Sequence, residues 1–205
     1  EYNLVPLGMA LKLHLLSGSA IEKQKKNEYQ GYQLVTNKKK YELSDEQEIT
    51  FRELIKNDNS FRVHLLQGTT GSGKTIVYFK AIEKILDQGK QSLILLPEIG
   101  LTGEFEKKFK DFFGFEAAVW HSKITPKRKK VIWSGLATRE IKVVIGARSS
   151  LFLPFENLGL IIVDEEHDQS FKQDEGVTYN ARDMAIARAS TENIPINLIT
   201  AVPSI

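Results

Sequence analysis

Short apolar runs alternate along the chain with longer stretches of helical period. RVHLL precedes IVYFKAIEKIL, SLILL precedes LTGEFEKKFKDFF, and AAVW precedes PKRKKVIWSGLA; IKVVI and LGLIIV follow, then the helical NARDMAIARAS and finally INLIT. The short runs, rich in Val, Ile and Leu, have the length of buried strands, and the segments between them repeat apolar residues three and four apart. Such an order predicts βαβ units. The fold class is therefore α/β, with a mainly parallel sheet covered by helices on both faces.

The helical pattern opens at SDEQ, before ITFRELI, where Ser44 and Gln47 have the spacing of a capping box. Upstream the texture changes. Gly8, Gly18 and Gly31 and the lysine groups KQKK and KKK interrupt short apolar pieces. Residues 1–43 read as a linker or the remnant of a preceding domain, and 44–205 as one domain.

Composition narrows the class. With 41% hydrophobic and 26% charged residues the chain can bury a core, which excludes wholesale disorder. No apolar run reaches membrane-spanning length and no signal-like segment opens the chain, so a cytoplasmic protein with no membrane partner is expected. The absence of cysteine removes disulfides, thiolate zinc sites and cysteine nucleophiles. Since 28 basic residues face 26 acidic ones, any nucleic-acid footprint must come from local clustering.

The strongest chemical signal is GTTGSGKT, Gly68 to Thr75, between a predicted strand and a predicted helix. Gly68, Gly71 and Gly73 let backbone N–H groups close around phosphate oxygens, with Thr69, Thr70 and Ser72 completing the loop, and the following helix adds its positive dipole end. Lys74 has the place of the residue that reaches the β- and γ-phosphates, and Thr75 that of a Mg²⁺ ligand. A glycine-rich turn with a capping threonine explains the glycines. It does not explain a lysine beside that threonine.

A second signal is LGLIIVDEEHDQS, an apolar strand that ends in carboxylates. At the carboxyl edge of a parallel sheet, Asp164 would hold Mg²⁺ and Glu165 would orient and deprotonate a water. His167 would link the γ-phosphate site to a neighbouring motif. A solvated acidic loop is the plain alternative.

GTTGSGKT, LLPEIGLT, VIGARSSLFLPFENLGLIIVDEEHDQSFKQ and YNARDMA, in that order, resemble the primosomal replication-restart DNA helicases, DExH-type members of superfamily 2. The resemblance runs from Ser44 to the C-terminus. It implies a first RecA-like lobe that binds ATP and Mg²⁺, within an ATP-dependent 3′-to-5′ helicase acting on single-stranded and forked DNA with other primosome and replication proteins.

By position it implies further residues. Gln47 lies where related helicases read adenine, although the capping box accounts for the same residue. Thr102, in PEIGLT, and Arg148, in GARSS, lie where phosphates of DNA are contacted. Residues 168 to 182 resemble an aromatic-rich loop that couples DNA binding to hydrolysis, with Phe171 and Tyr179 as stacking faces and Lys172 and Arg182 for phosphates; local packing is the alternative for the two aromatics. HSKITPKRKK, with Lys127 to Lys130, is either a DNA-facing patch or a solvated helix start.

Two departures matter. TAVPS, Thr200 to Ser204, stands where a Ser-Ala-Thr-Pro-like motif is usual, and Val202 lacks the hydroxyl. The family's second lobe supplies transition-state arginines, and its cysteine-rich zinc module belongs to that half, so this chain is expected to be a fragment that turns ATP over slowly. Three rival readings stand beside it: another DExH translocase, a P-loop kinase and a nucleotide-responsive interaction module.

Overall fold

The computed structural model describes residues 41–56, 59–174 and 178–201; most of the 1–43 segment, and Val202, lie outside them. Helix α1 (Asp45–Leu54) is followed by β1 (Arg62–Gln67), α2 (Lys74–Asp87), β2 (Gln91–Leu95), α3 (Gly103–Phe113), β3 (Ala118–Trp120) and α4 (Pro126–Ala137). Then come β4 (Val143–Gly146), β5 (Leu158–Asp164), a two-residue hairpin β6 (Lys172–Gln173) and β7 (Tyr179–Asn180), α5 (Ala181–Glu192) and β8 (Pro195–Thr200). Among the described residues no helix is long and apolar enough to cross a membrane.

Six strands form one parallel sheet in the order β1-β8-β5-β2-β4-β3. Strands β2, β4 and β8 are buried at every residue, as expected where helices cover both faces. Alternate side chains of each strand feed two cores. Leu93, Ile161, Val163 and Ile196 pack with Ile132 and Leu136 of α4 and Ala181, Ala185 and Ala189 of α5. On the other face Ile94, Ile162 and Ile199 pack with Tyr78, Phe79 and Ile82 of α2, the α3 phenylalanines and Leu54 of α1.

The α3 phenylalanines hold the first described residues. Phe109, Phe112 and Phe113 surround Phe79, and the Tyr41 ring stacks on Phe112 at 5.2 Å. Leu43 packs against the same core. Tyr41 and Leu43 thus pack with the domain, just before the capping box. That box forms as its spacing predicts: the Ser44 hydroxyl accepts from the Gln47 N–H at 3.3 Å, and the Ser44 N–H donates to Gln47 Oε1 at 3.1 Å.

Because every sheet strand points the same way, the segments that leave β1, β2, β4, β5 and β8 emerge on one edge. This carboxyl edge collects GTTGSGKT, PEIGLT, GARSS, DEEH and Thr200, which are far apart in sequence.

Candidate functional site

The loop after β1 turns into α2 at Gly73, whose φ of 84° caps the helix in the left-handed region; Gly71 has φ 83°. Both values favour glycine. At Gly73 space matters too, since an added Cβ would lie 2.3 Å from Gln47 Nε2. The Gln47 amide reaches the loop as well as capping α1, because Nε2 donates to the Ser72 carbonyl at 3.1 Å. Lys74 folds back along the loop, donating from Nζ to the carbonyls of Gly68 and, at 3.0 Å, Thr69.

Strand order makes the acidic strand end a near neighbour of this loop, with only β8 between β1 and β5. The Gly68 N–H donates to the Thr200 carbonyl at 3.2 Å, and the Glu166 N–H donates to the Ile199 carbonyl at 3.0 Å. On the side-chain level, His167 Nδ1 lies 2.9 Å from Thr200 Oγ1 and 3.7 Å from Glu165 Oε2. One residue of β8 therefore touches both motifs.

Asp164 is held at both oxygens. Oδ1 accepts from the Glu165 N–H at 3.0 Å, and Oδ2 accepts from the Tyr78 hydroxyl at 2.7 Å. Burial pushes the Asp164 carboxyl above the usual carboxylate range, although the Tyr78 hydrogen bond works against that. Burial, and then the facing Asp164, push the Tyr78 hydroxyl well above the usual phenol range, so it keeps its proton and remains a donor. Glu165 takes up φ 51°, a conformation uncommon for a residue with a side chain. The strand thus ends abruptly at the carboxylate pair.

The donor chemistry fits ATP with Mg²⁺. Thr75 and Asp164 offer hard oxygens, and the loop offers backbone N–H groups at a helix N-terminus. Among the described residues no group of three or more Asp, Glu or His side chains is placed to hold a metal ion. These two oxygens would hold Mg²⁺ together with phosphate oxygens of the nucleotide.

The remaining residues are distributed unevenly. Thr102 is exposed and caps α3, its Oγ1 accepting from the Phe105 N–H at 3.3 Å. Lys172 is exposed, while Arg148 Nη1 donates to the Lys172 carbonyl and so ties GARSS to the hairpin. Tyr179 is half-buried, edge-on to Phe152 at 5.6 Å. Phe171 corrects the expectation of a stacking face: at 1% exposure it belongs to the core beside α5 and has no ring face to offer a base. Arg182 Nη1 donates to the buried Glu166 carboxylate at 3.1 Å and Nε to Asp183 at 3.0 Å, and its side chain stays partly exposed.

In HSKITPKRKK, Thr125 caps α4; Lys127 and Arg128 are exposed, and Lys129 lies over the Trp120 ring at 5.9 Å. Sequence reasoning passed over Tyr78 and Glu166. Tyr78 sits in the apolar stripe of α2, where a phenol reads as core, and Glu166 was one acidic residue among four.

Comparison with known proteins gives the family. A family model for DEAD/DEAH box helicases fits residues 44–204. The chain is 50% identical over 164 residues to replication restart protein PriA of Rickettsia felis, covering 80% of this chain and 25% of that protein. It is 45% identical over 166 residues to replication restart protein PriA of Bacillus subtilis, covering 80% and 20%. The chain spans about a quarter of the length of such curated relatives.

Among solved structures, RecG bound to a three-way DNA junction superposes with a TM-score of 0.58 at 28% identity, over 80% of this chain and 21% of that one. The Hef helicase domain of Pyrococcus furiosus gives 0.54 at 19% identity, over 78% and 33%, a likeness of fold.

Proposed function

The chain belongs to the DEAD/DEAH box helicase family, and from that premise we propose that residues 44–205 are the ATP-binding first RecA-like lobe of a replication-restart helicase. In the intact protein this lobe would serve ATP-dependent 3′-to-5′ translocation on single-stranded and forked DNA, in the cytoplasm, together with primosome and replication proteins. Zinc would belong to a part of the protein beyond these residues. The observation that carries the reading is the junction at Thr200, where the phosphate-type loop and the DEEH segment are hydrogen-bonded to the same strand end.

Each residue has a task in that junction. Backbone N–H groups of Thr69 to Thr75 and the Lys74 ammonium would bind the phosphates, the lysine exchanging loop carbonyls for phosphate oxygens. Thr75 and Asp164 would hold Mg²⁺, which supplies charge neutralisation at the phosphates. Glu165 would accept a proton from the attacking water at its carboxylate, with His167 beside it and joined to Thr200. Thr102 and Lys172 are the exposed candidates for DNA phosphates on the same edge.

The test is nucleotide binding and turnover with and without single-stranded or forked DNA. Lys74→Ala should abolish nucleotide binding by the chain. In the intact protein Glu165→Gln should keep binding and lower DNA-stimulated turnover by about 10²–10⁴. Turnover indifferent to DNA, or a phosphorylated small-molecule acceptor, would sink the helicase reading.

A further inference from the structure

Among the described residues Tyr78 is the one fully buried phenol beside the site, at 0% exposure, with its ring edge-on to Phe79 at 5.2 Å. A phenylalanine would fill the same space, and a buried hydroxyl is tolerated only where it finds a partner. Here the partner is Asp164 Oδ2 at 2.7 Å. Thr75 lies three residues earlier on the same helix, α2, one turn before Tyr78. One buried hydroxyl therefore ties α2, the helix whose first turn carries Thr75, to the Asp164 carboxylate.

Position explains why it is needed. Asp164 ends a strand, and Thr75 opens a helix reached from another strand, so no shared element fixes their separation. A carboxylate at a strand end can rotate about two side-chain bonds. The Glu165 N–H on Oδ1 and the Tyr78 hydroxyl on Oδ2 fix its plane while leaving each oxygen a lone pair.

Resting on the nucleotide reading above, we propose that Tyr78 is a positioning residue, which sets the carboxylate plane of Asp164 relative to Thr75 and thereby the Mg²⁺ dependence of nucleotide binding. Partners of this kind around a metal ligand typically change metal affinity 10- to 100-fold when removed. The effect of Tyr78 passes through Asp164.

The experiment is a Mg²⁺ titration of the binding of a fluorescent, non-hydrolysable ATP analogue by the chain, followed by anisotropy, for the unaltered protein and Tyr78→Phe. We expect the Mg²⁺ concentration at half-saturation to rise about 10-fold in the variant, with affinity in excess EDTA unchanged. An unchanged Mg²⁺ midpoint overturns the role of Tyr78 while leaving the nucleotide site standing. An equal loss of affinity with and without Mg²⁺ also overturns it, since the residue would then only pack the loop. If the unaltered protein shows no Mg²⁺ dependence, the site reading falls first and this inference with it. Tyr78→Met, apolar and without a hydroxyl, repeats the comparison should the phenylalanine variant melt early.

Discussion

Arg182 Nη1 donates to Glu166 Oε2 across 3.1 Å, and that carboxylate side chain is only 3% exposed. The pair joins the DEEH segment to the first turn of α5, the helix that follows the β6–β7 hairpin in sequence. Any shift of the start of α5 relative to the end of β5 must therefore move or break this ion pair.

Removing the cation leaves the Glu166 charge without its Arg182 counterpart. Arg182→Ala should cost about 2–3 kcal/mol, below the range for fully buried pairs because the arginine is itself partly exposed. Glu166→Gln, which removes the charge but retains an acceptor, should cost less. Urea unfolding of both variants and of the double variant reads the coupling; equal, additive costs would show that the two do not act as a pair.

Gln47 has two separable jobs. Its Oε1 accepts from the Ser44 N–H, while Nε2 donates to Ser72. Gln47→Glu should keep the cap, leaving stability within about 0.5 kcal/mol, and weaken nucleotide binding through the lost donor. Gln47→Ala should lose both, at about 1 kcal/mol of stability. Chemical unfolding beside nucleotide titration distinguishes them; a glutamate variant that binds normally would show the cap is all that matters.

Phe171 separates packing from stacking. As a core ring, its replacement by Ala should lower stability by about 3–5 kcal/mol. The isolated chain should then melt at markedly lower temperature. Loss of DNA affinity in the intact protein with an unchanged melting temperature would instead restore the stacking role.

The His167 to Thr200 contact offers a conservative change. Thr200→Val keeps the shape and removes the hydroxyl that His167 meets, which should cost about 1 kcal/mol. Nucleotide affinity should hold while DNA-stimulated turnover in the intact protein falls, and Thr200→Ser should restore it. Identical turnover in all three forms would leave the contact structural.

How much of this was legible follows from what kind of information each feature needs. Strands, helices and the capping box at Ser44 and Gln47 are local, so their residue patterns sufficed. Lys74 and Asp164 could be singled out because strand-to-helix junctions of a parallel sheet put chemistry at one edge. Phe171 stayed open between stacking and packing, since an aromatic in a short polar loop looks the same whether it turns inward or outward. The pairing of Arg182 could not be read for a related reason: Glu166 lies sixteen residues away on another element.

Sequence by itself determined the α/β class, the phosphate-type loop and the acidic strand end, because hydrophobic period and glycine chemistry act over a few residues. Only the tertiary structure decided that β8 lies between β1 and β5, so that Thr200 joins the two motifs, and that a buried tyrosine holds Asp164. Strand order and hydrogen bonds between distant elements arise from packing the whole sheet, and no short stretch of the chain encodes them.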